Sequence, residues 1–401
     1  MTKTYSHQER VKAAMRHEET DIIPCDFLAS NEVWKLMVEY FQPSPAGLEE
    51  LYWLEAERET LLRQLGVDCR IFSYDMFCNP PEAVIKPGAH VDWWSSTIRS
   101  TPNRMWRQVL PDGTLQDIWG AHYRLEQHMF GIYEGLASWV LQNATSVDEL
   151  KSHAWPTPDW WDFSELPAMI DRLQQDGPFH VRFRIGSFFE QAWALRGLEQ
   201  FMLDFALDPS IPEYIMDRMV EVHLANLETI LKLAGDKLDM IYTYDDVATQ
   251  NSLLISPDAW RKSVKPRHQK ILDLAHHYGK PTMYHCDGAV APLIPELIEM
   301  GVNVLNPIQP DSKGMEPATL KEKYGQQLTF HGGVDIIKTL PRGTAEQVKS
   351  EVETRVKVLG AGGGYIMCSS HHIQPDTPLI NVLAMYDPAL RVMNGGLETR
   401  S

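Results

Sequence analysis

The sequence predicts an α/β protein: a (β/α)8 barrel of the TIM type with an antiparallel β-hairpin insertion in its N-terminal third. Three observations predict it. Apolar strand-like runs alternate with helical patterns, and the count of such units from Asp21 onward is close to eight, which implies a parallel sheet. Several of these runs end abruptly in His, Cys, Asp or Asn, as the mouth of a barrel requires. No Gly-x-Gly-x-x-Gly follows a strand and no Walker loop is present, so an open, nucleotide-binding sheet loses support.

The elements follow in order. Gln8–Glu19 carries Val11, Ala14 and Met15 on one helical face. Asp21–Phe27 reads as a short strand, Glu32–Phe41 and Leu54–Leu65 as helices, and Cys69–Tyr74 as a strand. From Val91 to about Gln127 the pattern alternates, and Asp112-Gly113 between two alternating runs is a hairpin signal. This is the expected insertion. Trp155–Phe163 is a linker rich in Pro and Trp. Next come a strand at Phe179–Ile185, helices over Phe188–Phe205 and Ile211–Ala234, and a strand at Leu238–Tyr244. Pro257–Tyr278 is helical, Pro281–Tyr284 a strand, and Val290–Met300 its helix. Asn303–Ile308, Leu328–Phe330 and Gly364–Met367 are further strands, with a helix over Ala345–Leu359 between the last two. The whole of 1–401 is read as one barrel domain with its insertion at about 91–127.

Composition excludes some functions. A hydrophobic fraction of 44% and a mean hydropathy of -0.29 describe a globular chain with ample core. The net charge of -17 argues against nucleic acid and against an anionic membrane surface. No run approaches ~18 apolar residues, so no membrane-spanning helix is expected. The N-terminus has no apolar signal core. Five cysteines, odd in number and irregular in spacing, read as thiols in a reducing cytoplasm. A homo-oligomer is compatible with the sequence.

The chemistry gathers at strand ends. Lys280–Gly288 is a buried strand ending in His285, Cys286 and Asp287, with Gly288 freeing the turn. Gly364–Met367 leads into Cys368, Ser369, Ser370, His371 and His372. Alternate residues of a strand share a face, so His285 and Asp287 can point at one centre, and His371 completes a three-ligand set with an open position. Two imidazoles and a carboxylate suit catalytic Zn2+ or non-haem Fe2+. Cys286 and Cys368 are alternative soft ligands. The plain alternative is a polar cleft in which these groups only hydrogen-bond. Asp246, Glu190 and His331 are the candidates for catalytic roles. Tyr244, Arg182, Asn306 and His372 are the candidates for holding substrate, Arg182 through a carboxylate. Asp245-Asp246 has helix capping or a salt bridge as its structural alternative.

The runs Met283–Gly288, Gly301–Gln309, Phe330–Asp335 and His371–Pro378 resemble the uroporphyrinogen decarboxylase superfamily, as does the opening Glu9–Glu18 leading to Ile23-Pro24. The likeness spans nearly the whole chain and is strongest from about Tyr242 onward. It implies a TIM barrel and one of two activities: metal-free decarboxylation of a porphyrinogen, or zinc-dependent methyl transfer to or from a corrinoid protein. The Arg-rich N-terminal segment of the decarboxylases is missing here. The methyltransferase zinc ligands His-x-Cys and a later Cys fall on His285, Asp287 and His371. That harder set suits activation of an ether or hydroxyl oxygen better than of a thiol. The resemblance therefore implies an O-demethylase: a methoxylated, aromatic methyl donor, Zn2+, and a corrinoid (cobalamin) carried as Co(I) by a separate protein, since this chain lacks an Asp-x-His-x-x-Gly motif. The alternatives are the decarboxylase and a non-catalytic ligand-binding barrel.

Overall fold

A computed structural model describes residues 4–44, 56–95, 104–129, 131–175 and 177–392. Among the described residues, twelve strands appear in chain order. The first is β1 (Cys69–Ser73), followed by β2 (His90–Ser95), β3 (Arg104–Val109), β4 (Leu115–Gln116), β5 (His122–His128) and β6 (Gly131–Ser138). The remaining six are β7 (His180–Arg184), β8 (Met240–Tyr244), β9 (Thr282–His285), β10 (Val304–Ile308), β11 (Thr329–Val334) and β12 (Tyr365–Ser369).

Seven strands form one parallel sheet in the order β1-β7-β8-β9-β10-β11-β12. Its strands are buried on both faces, β1, β10, β11 and β12 throughout, because helices cover a parallel sheet. The sheet curls until its edges approach each other. Between β12 and β1 runs Pro24–Asp26, which bonds to β12 and to Asp68, the residue before β1: Met367 N donates to Pro24 O at 2.8 Å, Asp26 N to Met367 O at 2.9 Å, and Asp68 N to Cys25 O at 3.0 Å. The result is an α/β barrel-like fold. The expected strand at Asp21–Phe27 is reduced to a single bridge, Cys25 with Met367. Pro24 has no N–H to donate, so a longer ladder is interrupted there.

The other five strands, β2 to β6, form an antiparallel sheet in sequence order. Gly113, with φ +82, turns the chain between β3 and β4, which pair Val109 with Leu115. The sheet reaches Ser138, beyond the expected limit near Gln127. The added strand β6 contains Gly131 and Gly135, which dilute its alternation. Strand β3 packs on the turn Tyr74–Phe77 that follows β1, which brings the antiparallel sheet over the C-terminal end of the barrel strands.

Three expectations on helices change. The expected helix over Phe188–Phe205 is two, Phe189–Arg196 and Leu198–Leu207. Gly197 has φ +85, and an added Cβ would lie 3.3 Å from the Trp139 ring; that backbone breaks the helix. The first helix stops at Met15, before His17 with φ +58. The third runs Ala56–Gln64, and the expected start at 54–55 lies outside the described residues. Ala345–Leu359 is as expected, started by a capping box between Thr344 and Gln347. Among the described residues no helix is long and apolar enough to cross a membrane.

Candidate active site

His285 is the last residue of β9, paired in register with Tyr244 of β8 and Asn306 of β10. Gly288 then turns the chain. Its φ is +85, and an added Cβ would stand 2.4 Å from the carbonyl of Thr249, so only glycine fits. The turn brings Asp287 back beside His285. The carboxylate of Asp287 has Oδ1 3.7 Å from His285 Nε2 and Oδ2 3.3 Å from His371 Nε2. One ligand atom from each of these three residues lies within 4.8 Å of the others. A tetrahedral Zn2+ with ligands at its usual bond lengths needs them about 3.4 Å apart. The donor set fits zinc in kind, the two Asp287–histidine separations of 3.7 and 3.3 Å lie near that spacing, and the partial exposure of the three residues leaves room for a further ligand.

Neighbouring groups fix these side chains. Gln309 donates from Nε2 to Asp287 Oδ1 at 3.0 Å and accepts from Gly288 N at 2.6 Å. Asp246 Oδ1 accepts from Asp287 N at 2.7 Å. Behind His285 runs a chain of bonds: His285 Nδ1 to Asn306 Oδ1 at 2.5 Å, Asn306 Nδ2 to His331 Nδ1 at 2.6 Å, and His331 Nε2 to Asp26 Oδ2 at 2.9 Å. Arg182 closes it with an ion pair to Asp26. One proton assignment satisfies every link. The Asp26 carboxylate only accepts, so His331 Nε2 donates. His331 Nδ1 then accepts from the Asn306 amide, and Asn306 Oδ1 accepts from His285 Nδ1–H. His285 Nε2 is left with a lone pair facing Asp287, as a metal ligand requires.

Electrostatics agree with that assignment. Burial opposes ionisation of Asp26, yet Arg182 and His331 outweigh it and hold the carboxyl below its ordinary range. Burial lowers the His331 pKa against the pull of Asp26, which keeps the ring neutral. Burial, and then Asp287, raises the Asp246 carboxyl.

The two adjacent aspartates divide their labour. Asp245 is fully buried and accepts from Glu190 N at 2.9 Å and Phe188 N at 3.3 Å, so it caps the helix Phe189–Arg196. Asp246 faces the cluster, with Oδ1 3.9 Å from His285 Nε2.

A cavity of about 350 Å3 opens in front of the cluster. His285, His371, His372, Asp246, Tyr244 and Glu190 line it, as do Arg184 and Asp75. Its opposite wall is antiparallel sheet: Met105, Arg107, Tyr123, Glu134 and Leu136. Aromatic sides come from Trp119, Trp193 and Tyr242. A second space of about 30 Å3 lies among Arg182, Asn306, His331 and His285.

The structure thus brings His285, Asp287 and His371 together, with Asp246, Tyr244 and His372 beside them; the His372 ring is 4.7 Å from that of His371. Glu190 faces the cavity from the helix start, outside the three-residue cluster. Arg182, Asn306 and His331, expected at the substrate or the chemistry, stand behind His285 in the chain of bonds. His331 lies inside β11, not at its end, because the strand continues through Gly332-Gly333. Cys286 and Cys368 are buried, and burial pushes both thiols far up. Neither belongs to the cluster with Asp287. Cys368 instead neighbours Asp26 and His331, where Asp26 is already engaged by Arg182. Sequence reasoning finds Gln309 only as a polar strand end, and misses Asp26 and the wall of antiparallel sheet. Gln309 had a signal, its place at a strand end; the others are joined to the site only by the fold.

A barrel-like α/β sheet with a His–Asp–His cluster at the C-terminal ends of its strands defines the class of protein. The uroporphyrinogen decarboxylase (URO-D) family profile matches residues 184–391, just over half of the chain, and the chain belongs to that family. Its fold is shared with a methyltransferase from Methanosarcina mazei, at a TM-score of 0.62 and 19% identity, covering 96% of this chain and 98% of that one. A Penicillium canescens endo-1,4-beta-xylanase XylE overlaps at a TM-score of 0.35 and 10% identity, over 59% of this chain and 83% of that one, too little to argue from. No curated protein matches the sequence.

Proposed function

We propose that the chain is a zinc-dependent methyltransferase that moves a methyl group from a methoxylated aromatic compound to the Co(I) corrinoid of a partner protein. The observation that carries this reading is the His285–Asp287–His371 cluster at the mouth of a barrel-like URO-D family fold. The fold shared with the Methanosarcina mazei methyltransferase supports it.

His285 Nε2, Asp287 and His371 would hold the metal. Zinc, when bound there, would supply Lewis acidity to an ether oxygen. The chain's own residues do the rest. Asn306 holds His285 in the tautomer whose Nε2 lone pair faces the site. Gln309 and Asp246 keep Asp287 in place. Tyr242, Tyr244, Trp119 and Trp193 offer flat apolar walls to an aromatic ring. Asp246, its carboxyl raised by burial and by Asp287, is the nearest group able to carry a proton to a departing oxygen. The partner's corrinoid would reach the methyl group through the same mouth.

The test is metal content by plasma mass spectrometry, on wild type and on a His285→Ala/His371→Ala double variant. About one zinc per chain, lost in the double variant, is expected. A metal-free protein that keeps full activity under chelation would end this reading and favour metal-free decarboxylation.

A further inference from the structure

We infer that the antiparallel sheet selects the substrate, and that it selects an uncharged molecule bearing a hydroxyl group. The inference rests on the methyl-transfer reading and adds a substrate class to it. The cavity is small for a ligand site, at about 350 Å3. The cluster stands at one end and the antiparallel sheet at the other.

The two arginines that line the cavity are each matched by an acid. Arg107 NH2 is 3.5 Å from Glu134 Oε2, and their side chains are only 7% and 10% exposed. Arg184 NH2 is 2.9 Å from Asp75 Oδ2, each side chain 11% exposed. Asp117 accepts from Trp119 N at 2.9 Å, Ala121 N at 2.8 Å, Gln191 Nε2 at 2.9 Å and the Tyr123 hydroxyl at 3.1 Å. A carboxylate on the substrate would have to draw an arginine away from its acid. An ammonium set against the antiparallel sheet would have to draw Glu134 away from Arg107. Separating a nearly buried pair is costly, and a neutral group avoids both costs. Glu134 adds the hydrogen-bonding sense: its Oε1 is buried and has no donor among the described residues. An unmet acceptor favours a ligand that donates. The geometry points to a methoxylated aryl alcohol or phenol whose ether faces the cluster and whose hydroxyl faces Glu134.

The test is titration calorimetry on the full-length protein with three probes alike but for charge: para-methoxybenzyl alcohol, para-methoxybenzoate and para-methoxybenzylamine. The alcohol should bind at least about tenfold tighter than either ion. Glu134→Gln takes away the acid 3.5 Å from Arg107 and should raise affinity for the benzoate at least about tenfold, with an unchanged circular dichroism spectrum. If that variant does not fold, Arg107→Gln leaves Glu134 unmatched and should raise affinity for the amine instead. An ion that binds as tightly as the alcohol overturns the inference. So does failure to bind any of the three, or a folded variant with no gain. Zinc measured on the same samples tests the underlying reading separately: zinc present with an ion preferred defeats the substrate class alone.

Discussion

His285 Nδ1 lies 2.5 Å from Asn306 Oδ1, and this bond decides which nitrogen of His285 faces the cavity. The decision is backed by His331, Asp26 and Arg182, none of which touches Asp287. Removing the Asn306 amide frees the ring to take the other tautomer or to turn away. Asn306→Ala should therefore lower zinc affinity by roughly 10–100-fold, read by competition with a chromophoric chelator. Asn306→Asp keeps an acceptor at the same place and should retain most of the affinity. Equal affinity in wild type and Asn306→Ala would show that the bond is incidental.

Asp287 and Cys286 are adjacent, yet only one is placed to ligate. The Cys286 thiol is buried, directed at the Asp287 carbonyl at 3.3 Å, and pushed up by burial and then by Asp246. A metal-binding thiol must ionise, and this site opposes it. Cys286→Ser should keep the metal, whereas Asp287→Asn should lose at least about nine-tenths of it, a tenfold or larger loss of affinity. Metal analysis of the two purified variants decides. The reverse pattern would hand the ligand position to Cys286.

Asp26 and Arg182 are 156 residues apart in the chain and meet in the barrel interior. Both are nearly buried, at 6% and 2% side-chain exposure. Arg182→Met would leave Asp26 as an uncompensated buried charge, with only the neutral His331 ring and the Phe27 N–H donating to it. A loss of about 3–5 kcal/mol is expected, measured by denaturant unfolding with the native pH held constant. A loss under about 1 kcal/mol would mean that the pair contributes as little as a surface salt bridge.

How much of this was legible in the sequence depends on the range of each interaction. His285, Asp287, Asp246, Tyr244 and His371 could be read because each stands where an apolar run stops, and parallel strands deliver their ends to one place. An internal ion pair for Arg182 could be read, but not its partner, since Asp26 is set beside it by the curl of the sheet. His331 reads as a strand end because Gly332-Gly333 looks like a terminator, while both glycines lie inside β11. Strand β6 was missed for lack of alternation. The helix break at Gly197 was missed because it answers to the Trp139 ring, a contact from a distant segment.

Two histidines outside the three-residue cluster weaken the fold in acid. His180 and His223 are fully buried, and burial pushes each down to about 4. In the unfolded chain each would titrate near its ordinary value of about 6.5. The folded pKa is the lower one, so the unfolded state takes up protons first as pH falls. Stability is therefore full above pH 6.5 or so and declines between about 6.5 and 4, by up to about 1.4 kcal/mol per pH unit for each histidine. Below about 4 these two groups add no further loss. His180 offers the cleaner test, since neither ring nitrogen has a partner among the described residues. His180→Leu removes the titration without stranding a donor, and should cut the slope of stability against pH in that window by roughly half of what the pair contributes. Denaturant midpoints for wild type and variant at closely spaced pH values measure it. Parallel slopes in the two proteins would mean that His180 is protonated as readily in the fold as out of it.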